Sequence, residues 1–319
     1  MTSRKVLFID TAHPVLTEEL TQMGYQCDYF DKYSHDDYLR IVDQYFGIII
    51  RGKIKLDVEM LKAARQLKFI GRVGAGMENI DVAYAESIGI ACLNAPEGNR
   101  DAVGEHAVGM LLMLMNRLRI ADREVRQGIW LREENRGIEI KDKTVAIIGY
   151  GNMGGAFARV LKGFGANVIA YDKYKSDYSD DFVRESDMQT IFDDADIVSL
   201  HLPLTSETTF LVDEDYLKKF RKNIYLINTA RGRNVKTADL VKQMKAGKVL
   251  GAALDVLEYE KLSFEALDQQ SLPEDFTWLI RSDRVVLSPH IAGWTHESNY
   301  KLAKTIVDKV SRLFGEKAE

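Results

Sequence analysis

Residues 143–154 read KTVAIIGYGNMG and carry the strongest signal in the chain. An apolar run at 144–148 ends in a glycine-rich turn, and a helical pattern begins directly after it. Gly149 permits a tight turn, Gly151 lets the backbone approach a pyrophosphate, and Gly154 lets a helix pack closely on a strand. In this strand–turn–helix context, the segment predicts a dinucleotide-binding site.

The residues that follow the turn indicate which dinucleotide is bound. Asn152 and Met153 begin the helix, where free N–H groups and the helix dipole favour phosphate. Asp172 ends the next apolar run, about 20 residues on, where a carboxylate can accept hydrogen bonds from the ribose hydroxyls. Lys173 and Lys175 are nearby cations that could tolerate a 2′-phosphate. The carboxylate nevertheless favours NAD over NADP.

The same alternation of apolar runs and helical patterns extends in both directions. It predicts an α/β protein with two doubly wound parallel-sheet domains, Rossmann- or flavodoxin-like. A helical pattern at about 101–127 separates the two series and is apolar on most sides in its first half, so we expect it to cross between domains and to contact a partner subunit. The predicted strands are 6–9, 27–30, 47–50, 69–70 and 90–93, then 144–148, 167–170, 197–200, 224–228, 251–254 and 285–288.

Composition narrows the functional classes. The 319 residues are 46% hydrophobic and 29% charged, which is typical of a globular protein of about two domains. The formal net charge of −5 gives no basic field for nucleic acid or an anionic membrane. Only two cysteines, Cys27 and Cys92, are present, and the most apolar stretch is shorter than a membrane span. We expect a cytoplasmic protein without a bound metal.

Seven segments together identify the chain as similar to the D-isomer-specific 2-hydroxyacid dehydrogenases, over nearly its full length. Besides the glycine turn, they are GRVGAGMENID (71–81), NAPEGN (94–99), HLPLT (201–205), NTARG (228–232), GAALDV (251–256) and SPHIAG (288–293). The resemblance implies an NAD-dependent enzyme acting on a small 2-hydroxy or 2-keto acid. It also implies a cofactor domain at 98–291, inserted into a substrate domain made of 1–97 and 292–319, and a homodimer or homotetramer.

Reduction of a 2-keto acid requires a proton donor near neutral pH. His290 follows an apolar strand, at the sheet edge where ligands bind in such folds, and the resemblance gives it the acid–base role. Glu260 matches the family's acidic partner, with Glu258 as the competitor. Arg231 matches the arginine that grips the substrate carboxylate and polarises the C2 carbonyl. Among the other histidines, His296 is the nearest rival.

The resemblance implies further binding positions. Those lining the cofactor are Leu202, Thr229 and Asp255, and those presenting backbone N–H groups to the substrate carboxylate are Gly74, Ala75 and Gly76. Arg51 matches a position that faces the phosphate in members acting on phosphorylated acids, which makes a phosphorylated substrate our first expectation. The bulky Trp294, just past His290, could narrow the pocket.

Two alternatives to a phosphorylated substrate stay open. The same catalytic residues would serve a reductase of unphosphorylated 2-keto acids such as hydroxypyruvate or glyoxylate. A protein of another class, an NAD-sensing corepressor-like binding protein, would not need His290, Glu260 and Arg231 together.

Overall fold

The computed structural model describes residues 4–260 and 273–315. The described residues up to Asn99 and from Trp294 onward form one compact unit, and those from Arg100 to Gly293 form a second. Each unit is built around one parallel β-sheet.

The first unit contains a five-stranded sheet with the order β2-β1-β3-β4-β5. Its central strands are buried on both faces and therefore consist of continuous apolar runs. The strands are β1 (Arg4–Phe8), β2 (Tyr25–Tyr29), β3 (Gly47–Ile50), β4 (Phe69–Arg72) and β5 (Ala91–Leu93). The helices are α1 (Pro14–Gln22), α2 (His35–Ile41), α3 (Val58–Ala63), α4 (Val82–Ser87) and, near the C-terminus, α12 (His296–Phe314), with a 3₁₀ turn at Val42–Gln44.

Helix α12 returns the C-terminal segment to this first sheet. Its Ile306 and Val310 belong to the same buried cluster as Phe8, Ile49 and Phe69. Apolar residues recurring at helical spacing supply this face, and burying them removes apolar surface from water on both partners.

The second unit contains a seven-stranded parallel sheet with the order β12-β11-β10-β9-β6-β7-β8. Its strands are β6 (Thr144–Ile148), β7 (Asn167–Tyr171), β8 (Arg184–Glu185), β9 (Ile197–Leu200), β10 (Ile224–Asn228), β11 (Val249–Leu254) and β12 (Val285–Leu287). Its helices are α5 (Pro96–Met115, beginning in the first unit), α6 (Leu118–Arg126), α7 (Asn152–Leu161), α8 (Met188–Asp194), α9 (Glu214–Lys218), α10 (Thr237–Lys245) and α11 (Glu274–Arg281), with 3₁₀ turns at Lys162–Phe164 and Gly232–Asn234. Strand β6 lies centrally between β9 and β7, at the point where the strand order reverses.

The expected α/β class with two parallel sheets is confirmed, with two differences in detail. The helix expected over 101–127 is two helices, because Arg117 adopts a left-handed backbone with φ of 52° and ends the first one. A seventh strand, β8, has only two residues, too few to give a periodic signal. None of the helices in the described ranges is both long and apolar enough to cross a membrane.

Candidate active site

The candidate residues of the second unit follow directly on the strands of its sheet. Because the strands are parallel, their carboxyl ends meet at one edge, where ligands bind in open α/β sheets. The sequence places Gly149 after β6, Asp172 after β7, Leu202 near the end of β9, Arg231 after β10, Asp255 after β11 and His290 after β12.

The turn after β6 has the backbone that its glycines permit. Gly149 has φ of 94°, and a Cβ there would lie 2.5 Å from the carbonyl oxygen of His201 and 3.1 Å from Leu202. A Cβ on Gly154 would overlap the Gly149 carbonyl oxygen. The turn is therefore packed against the β9 loop on one side and against its own helix on the other, and only glycine fits at these two positions.

The space in front of helix α7 fits a dinucleotide. A Cβ on Gly151 would have no heavy atom within 4 Å, so this side of the turn is open. No side chain caps the N-terminus of α7 among the described residues, and uncapped N–H groups at a helix N-terminus, here near Asn152 and Met153, suit the binding of a phosphate. Thr229 Oγ1 is sealed from solvent and has no hydrogen-bond partner in the described ranges, which suits a ligand atom.

Asp172 is held in place by the turns around it. Its Oδ2 accepts a hydrogen bond from the Tyr150 N–H at 2.9 Å, and its Oδ1 accepts one from the Tyr174 N–H at 2.9 Å. The Lys173 ammonium lies 2.6 Å from Glu207, and the Lys175 ammonium donates to the Tyr150 carbonyl at 2.7 Å. Both cations therefore have partners, and a role for the Asp172 carboxylate at the ribose stays a prediction.

Replacing Asp172 with alanine should weaken NADH binding and relax the preference against NADPH. The replacement removes the acceptor for the ribose hydroxyls and the charge that repels a 2′-phosphate, an interaction of about 4 kcal/mol at 4 Å and an effective dielectric constant of 20. We expect the ratio of the NADPH to the NADH dissociation constant, measured by fluorescence titration, to fall at least about tenfold. Asp181→Asn, which changes an exposed carboxylate of the same unit, is the matched control. An unchanged ratio in Asp172→Ala would contradict this role.

His290 and Glu260 form a close pair. His290 Nδ1 lies 2.7 Å from Glu260 Oε2, and both side chains are largely buried. The other oxygen, Glu260 Oε1, accepts a hydrogen bond from the Leu257 N–H, which fixes the carboxylate. A carboxylate held against Nδ1 selects the imidazole tautomer and stabilises its protonated form.

Glu258, the competing acid, has a different place in the structure. Its Oε2 accepts a hydrogen bond from the Thr237 N–H at 2.9 Å, at the N-terminus of α10. It therefore accepts a hydrogen bond from one of the unpaired N–H groups at the start of that helix. Its negative charge also interacts favourably with the positive end of the helix dipole. Of the two acids, the structure brings Glu260 to His290.

Arg231 sits in a turn built by two buried asparagines. Asn228 donates through Nδ2 to the Arg231 carbonyl at 2.9 Å, and Asn234 Oδ1 accepts from the Arg231 N–H at 3.1 Å. Arg231 Nη1 donates to the Ala230 carbonyl at 2.7 Å. The motif predicted the arginine, whereas the supporting role of Asn234 was missed, because a polar residue between Arg233 and Val235 gives no local signal of such a contact.

The Arg231 turn packs directly on the Glu260 turn. A Cβ on Gly232 would overlap the Leu257 carbonyl oxygen, so the two backbones are in contact at this position. Leu257 in turn donates its N–H to Glu260. A guanidinium and a carboxylate–imidazole pair are thus carried on adjoining turns at one edge of the sheet.

Asp255 is buried against the loop that carries His290. It is 1% exposed, and its carboxylate accepts hydrogen bonds from the Ile291 and Ala292 N–H groups, both at 2.9 Å. Burial acts to raise its pKa, but hydrogen bonds from His106, Ser288 and these two N–H groups hold the pKa below its ordinary value. A contact with a nicotinamide stays a prediction, while the structure shows Asp255 organising the loop that carries His290.

His201 is excluded as an alternative acid. It packs against Phe157, and burial lowers its pKa to about 3, so its imidazole stays neutral near pH 7. His296 is the first residue of α12 and belongs to the first unit.

The substrate-binding positions of the first unit form a loop after β4. Gly74 has φ of 158°, its carbonyl accepts from the Ala95 N–H at 2.7 Å, and the Ala75 carbonyl accepts from Asn94 Nδ2 at 2.7 Å. In the described part of the chain, the N–H groups of Ala75 and Gly76 have no acceptor, which suits the binding of a carboxylate.

Arg51 follows β3 in the same unit. Asp10 Oδ2 accepts hydrogen bonds from the N–H groups of Arg51 and Gly52, at 2.6 and 3.0 Å, which fixes the backbone here. The Arg51 guanidinium carbon lies 4.3 Å from the centre of the Trp294 ring. Trp294, expected to narrow the pocket, thus covers one face of this guanidinium.

Comparisons with known proteins indicate the family to which the chain belongs. The family model for the NAD-binding domain of D-isomer-specific 2-hydroxyacid dehydrogenases matches residues 108–292. D-3-phosphoglycerate dehydrogenase of Archaeoglobus fulgidus is 34% identical over 307 residues, which cover 95% of this chain and 56% of that protein. Hydroxypyruvate reductase of Thermotoga maritima is 31% identical over 280 residues, 88% of each chain.

A solved structure shows the same fold over nearly the whole chain. D-lactate dehydrogenase from Aquifex aeolicus, complexed with NAD and lactic acid, gives a TM-score of 0.80 at 27% identity and covers 97% of this chain and 94% of that one. The cofactor expected from the glycine turn and Asp172 is thus confirmed as NAD. The chain belongs to the D-isomer-specific 2-hydroxyacid dehydrogenase family.

Proposed function

We propose that the protein is an NAD-dependent dehydrogenase of a D-2-hydroxy acid. The observation that carries the proposal is the His290–Glu260 pair, 2.7 Å apart, beside the Arg231 turn at the edge of the NAD-binding sheet. A protein that only sensed NAD would not require a histidine poised for proton transfer. The geometry therefore favours the enzyme over the sensor.

In the oxidative direction, His290 takes the proton of the substrate hydroxyl. Because Glu260 holds Nδ1, we assign the transfer to Nε2. The Glu260 carboxylate stabilises the imidazolium that forms, and in the reductive direction the same imidazolium returns the proton to the C2 oxygen. Bound NAD supplies the hydride acceptor.

Arg231 orients the substrate. Its planar guanidinium can bind the carboxylate through two parallel hydrogen bonds and direct positive charge at the C2 oxygen. Within the first unit, we propose that the N–H groups of Ala75 and Gly76 bind a substrate carboxylate.

For the substrate itself we propose 3-phospho-D-glycerate, oxidised to 3-phosphohydroxypyruvate at the entry to serine synthesis. Support comes from Arg51, whose backbone is fixed by Asp10 and whose guanidinium carbon lies 4.3 Å from the centre of the Trp294 ring. An arginine ordered in this way loses little side-chain entropy when its edge binds a phosphate.

A second candidate is a reductase of hydroxypyruvate or glyoxylate. The contact between Arg51 and Trp294 also supports this candidate, because Trp294 covers one face of Arg51 and occupies space beside it. In that case Arg51 serves to hold Trp294 rather than a phosphate.

The deciding experiment compares initial rates on a panel of acids. NADH production is measured at alkaline pH with 3-phosphoglycerate, D-glycerate and D-lactate, and NADH consumption with hydroxypyruvate and glyoxylate. A preference for 3-phosphoglycerate that is lost in Arg51→Ala, but kept in Arg65→Ala, supports the phosphate site. Arg65 is 79% exposed in the same unit and serves as the control. A preference for unphosphorylated acids supports the reductase. NAD binding without turnover of any of them supports the sensor.

We also propose that the protein is a homodimer through the α6 region. Five large apolar side chains are exposed there, and Trp130 is 76% exposed; they are Leu118, Val125, Ile129, Trp130 and Leu131. An apolar group of this kind is typical of a subunit interface. In sedimentation, the wild type should run at twice the chain mass and Trp130→Glu should shift towards the monomer, whereas Ile88→Glu, at an exposed apolar position of the first unit, should not. A monomeric wild type would refute the proposal.

A further inference from the structure

The backbone of His290 is in a conformation that its neighbours must impose. Its φ is 56°, in the left-handed region that is sterically unfavourable for a residue other than glycine. Such a conformation persists only where surrounding contacts over-determine it. The residues that hold this loop therefore decide where the imidazole points.

Asp255 provides most of those contacts. Its carbonyl accepts from the His290 N–H at 2.7 Å, and its carboxylate accepts from the next two N–H groups of the loop. The Ser288 hydroxyl lies 2.6 Å from Asp255 Oδ1. The carboxylate thus binds the loop on both sides of His290.

The next link is a histidine on helix α5. His106 Nε2 lies 2.9 Å from Ser288 Oγ and 3.5 Å from Asp255 Oδ1. A hydroxyl carries one proton, and the short contact to a carboxylate makes Ser288 the donor to Asp255. Ser288 Oγ must then accept from His106, which assigns the proton to Nε2 of the His106 ring. The order of donation is His106 to Ser288 to Asp255.

We infer that His106 is a positioning residue for His290 and that it acts through Ser288 and Asp255. By donating to Ser288, it fixes the direction of the Ser288 hydroxyl, so that Asp255 receives its full set of hydrogen bonds and keeps the loop in its left-handed form. Hydrogen bonds arranged in a chain also strengthen one another. The inference rests on the proposed function only for its kinetic consequence, because the placement of the His290 ring can be measured without turnover.

The test uses two pairs of variants. His106→Leu removes the donor at similar size, whereas His106→Gln keeps an N–H donor near the position of Nε2. Ser288→Ala removes the hydroxyl, whereas Ser288→Thr keeps it. We expect His106→Leu and Ser288→Ala to lower kcat about 10- to 100-fold with KM changed less than about threefold, as for displaced catalytic groups. His106→Gln and Ser288→Thr should keep most of the wild-type kcat.

The double variant His106→Leu/Ser288→Ala should be no slower than the slower single variant, because both act through one chain. Glu105→Gln, an exposed neighbour on α5, should leave kcat unchanged. Equal losses in His106→Leu and His106→Gln, or additive losses in the double variant, would show a packing role and overturn the inference.

A second measurement separates this inference from the proposed function. The ¹⁵N resonances of the His290 ring, assigned by their loss in His290→Asn, should shift in His106→Leu and in Ser288→Ala but not in Glu105→Gln. If the wild type turns over no acid of the panel, the proposed function fails and this readout still tests the positioning. Unmoved His290 resonances in both variants would overturn the inference.

Discussion

Replacing His290 with asparagine will lower kcat by about 10²–10⁴-fold and leave NADH bound, since positioned acid–base groups contribute in that range. Asparagine is the informative replacement because it tolerates the left-handed backbone found at this position, so that the loop keeps its shape. The loss then reports the missing proton transfer rather than a moved loop. Initial rates and a fluorescence titration with NADH measure the two quantities. Retention of a tenth or more of the wild-type kcat would assign the proton to another group.

The neighbouring histidine provides the control, since His296→Asn changes a residue at the start of α12 and should keep wild-type rates. Glu260→Gln keeps a hydrogen-bonding group beside Nδ1 but removes its charge, so a smaller loss, about 10- to 100-fold, is expected. Glu258→Gln should act on α10 instead, with a lower unfolding temperature and unchanged kcat.

The second large effect is expected at Arg231. Arg231→Lys keeps the positive charge but loses the planar fork, and losing a bound charge pair costs about 2–5 kcal/mol. Because a factor of ten corresponds to about 1.4 kcal/mol, kcat/KM for the 2-keto acid should fall about 30-fold or more. The dissociation constant of NADH should stay within about threefold, because the prediction confines the arginine to the substrate.

Arg233→Lys is the matched control for this variant. Arg233 lies two residues on, with its guanidinium carbon 5.4 Å from the Phe210 ring centre, and is not part of the predicted contact. If Arg231→Lys keeps kcat/KM within threefold of the wild type, charge alone is sufficient and the bidentate contact is refuted. If Arg231→Lys and Arg233→Lys lose activity equally, the loss comes from the turn as a whole.

Features that depend on nearby residues could be predicted from the sequence. The glycine turn, the acid after β7 and the alternation of strands with helices are local patterns, because turn geometry and burial on two faces constrain neighbouring positions. The break at Arg117 could not be predicted in this way. The apolar and charged pattern continues through it, and only the left-handed backbone shows where α5 ends.

Contacts between residues far apart in the sequence could not be predicted from the sequence pattern. His106 and Ser288 are 182 positions apart, and nothing near either residue indicates that a helix side chain meets a strand end. The register of the motif favoured Glu260, but Glu258 follows the same strand and stayed a competitor. The structure distinguishes the two acids, because Glu258 accepts a hydrogen bond from the N–H of Thr237. Thr237 lies in α10, 21 positions earlier in the chain.

The absent side chain of Gly232 limits how the specificity of this protein could be altered by mutation. The Arg231 turn and the turn at Leu257 touch through bare backbone, and Glu260 is fastened to the second of them. A library that randomises the 257–260 turn to accept a new acid would therefore also displace the arginine on the adjoining turn. Because the two turns are in contact, mutations that alter specificity have to be introduced in both turns together or in neither.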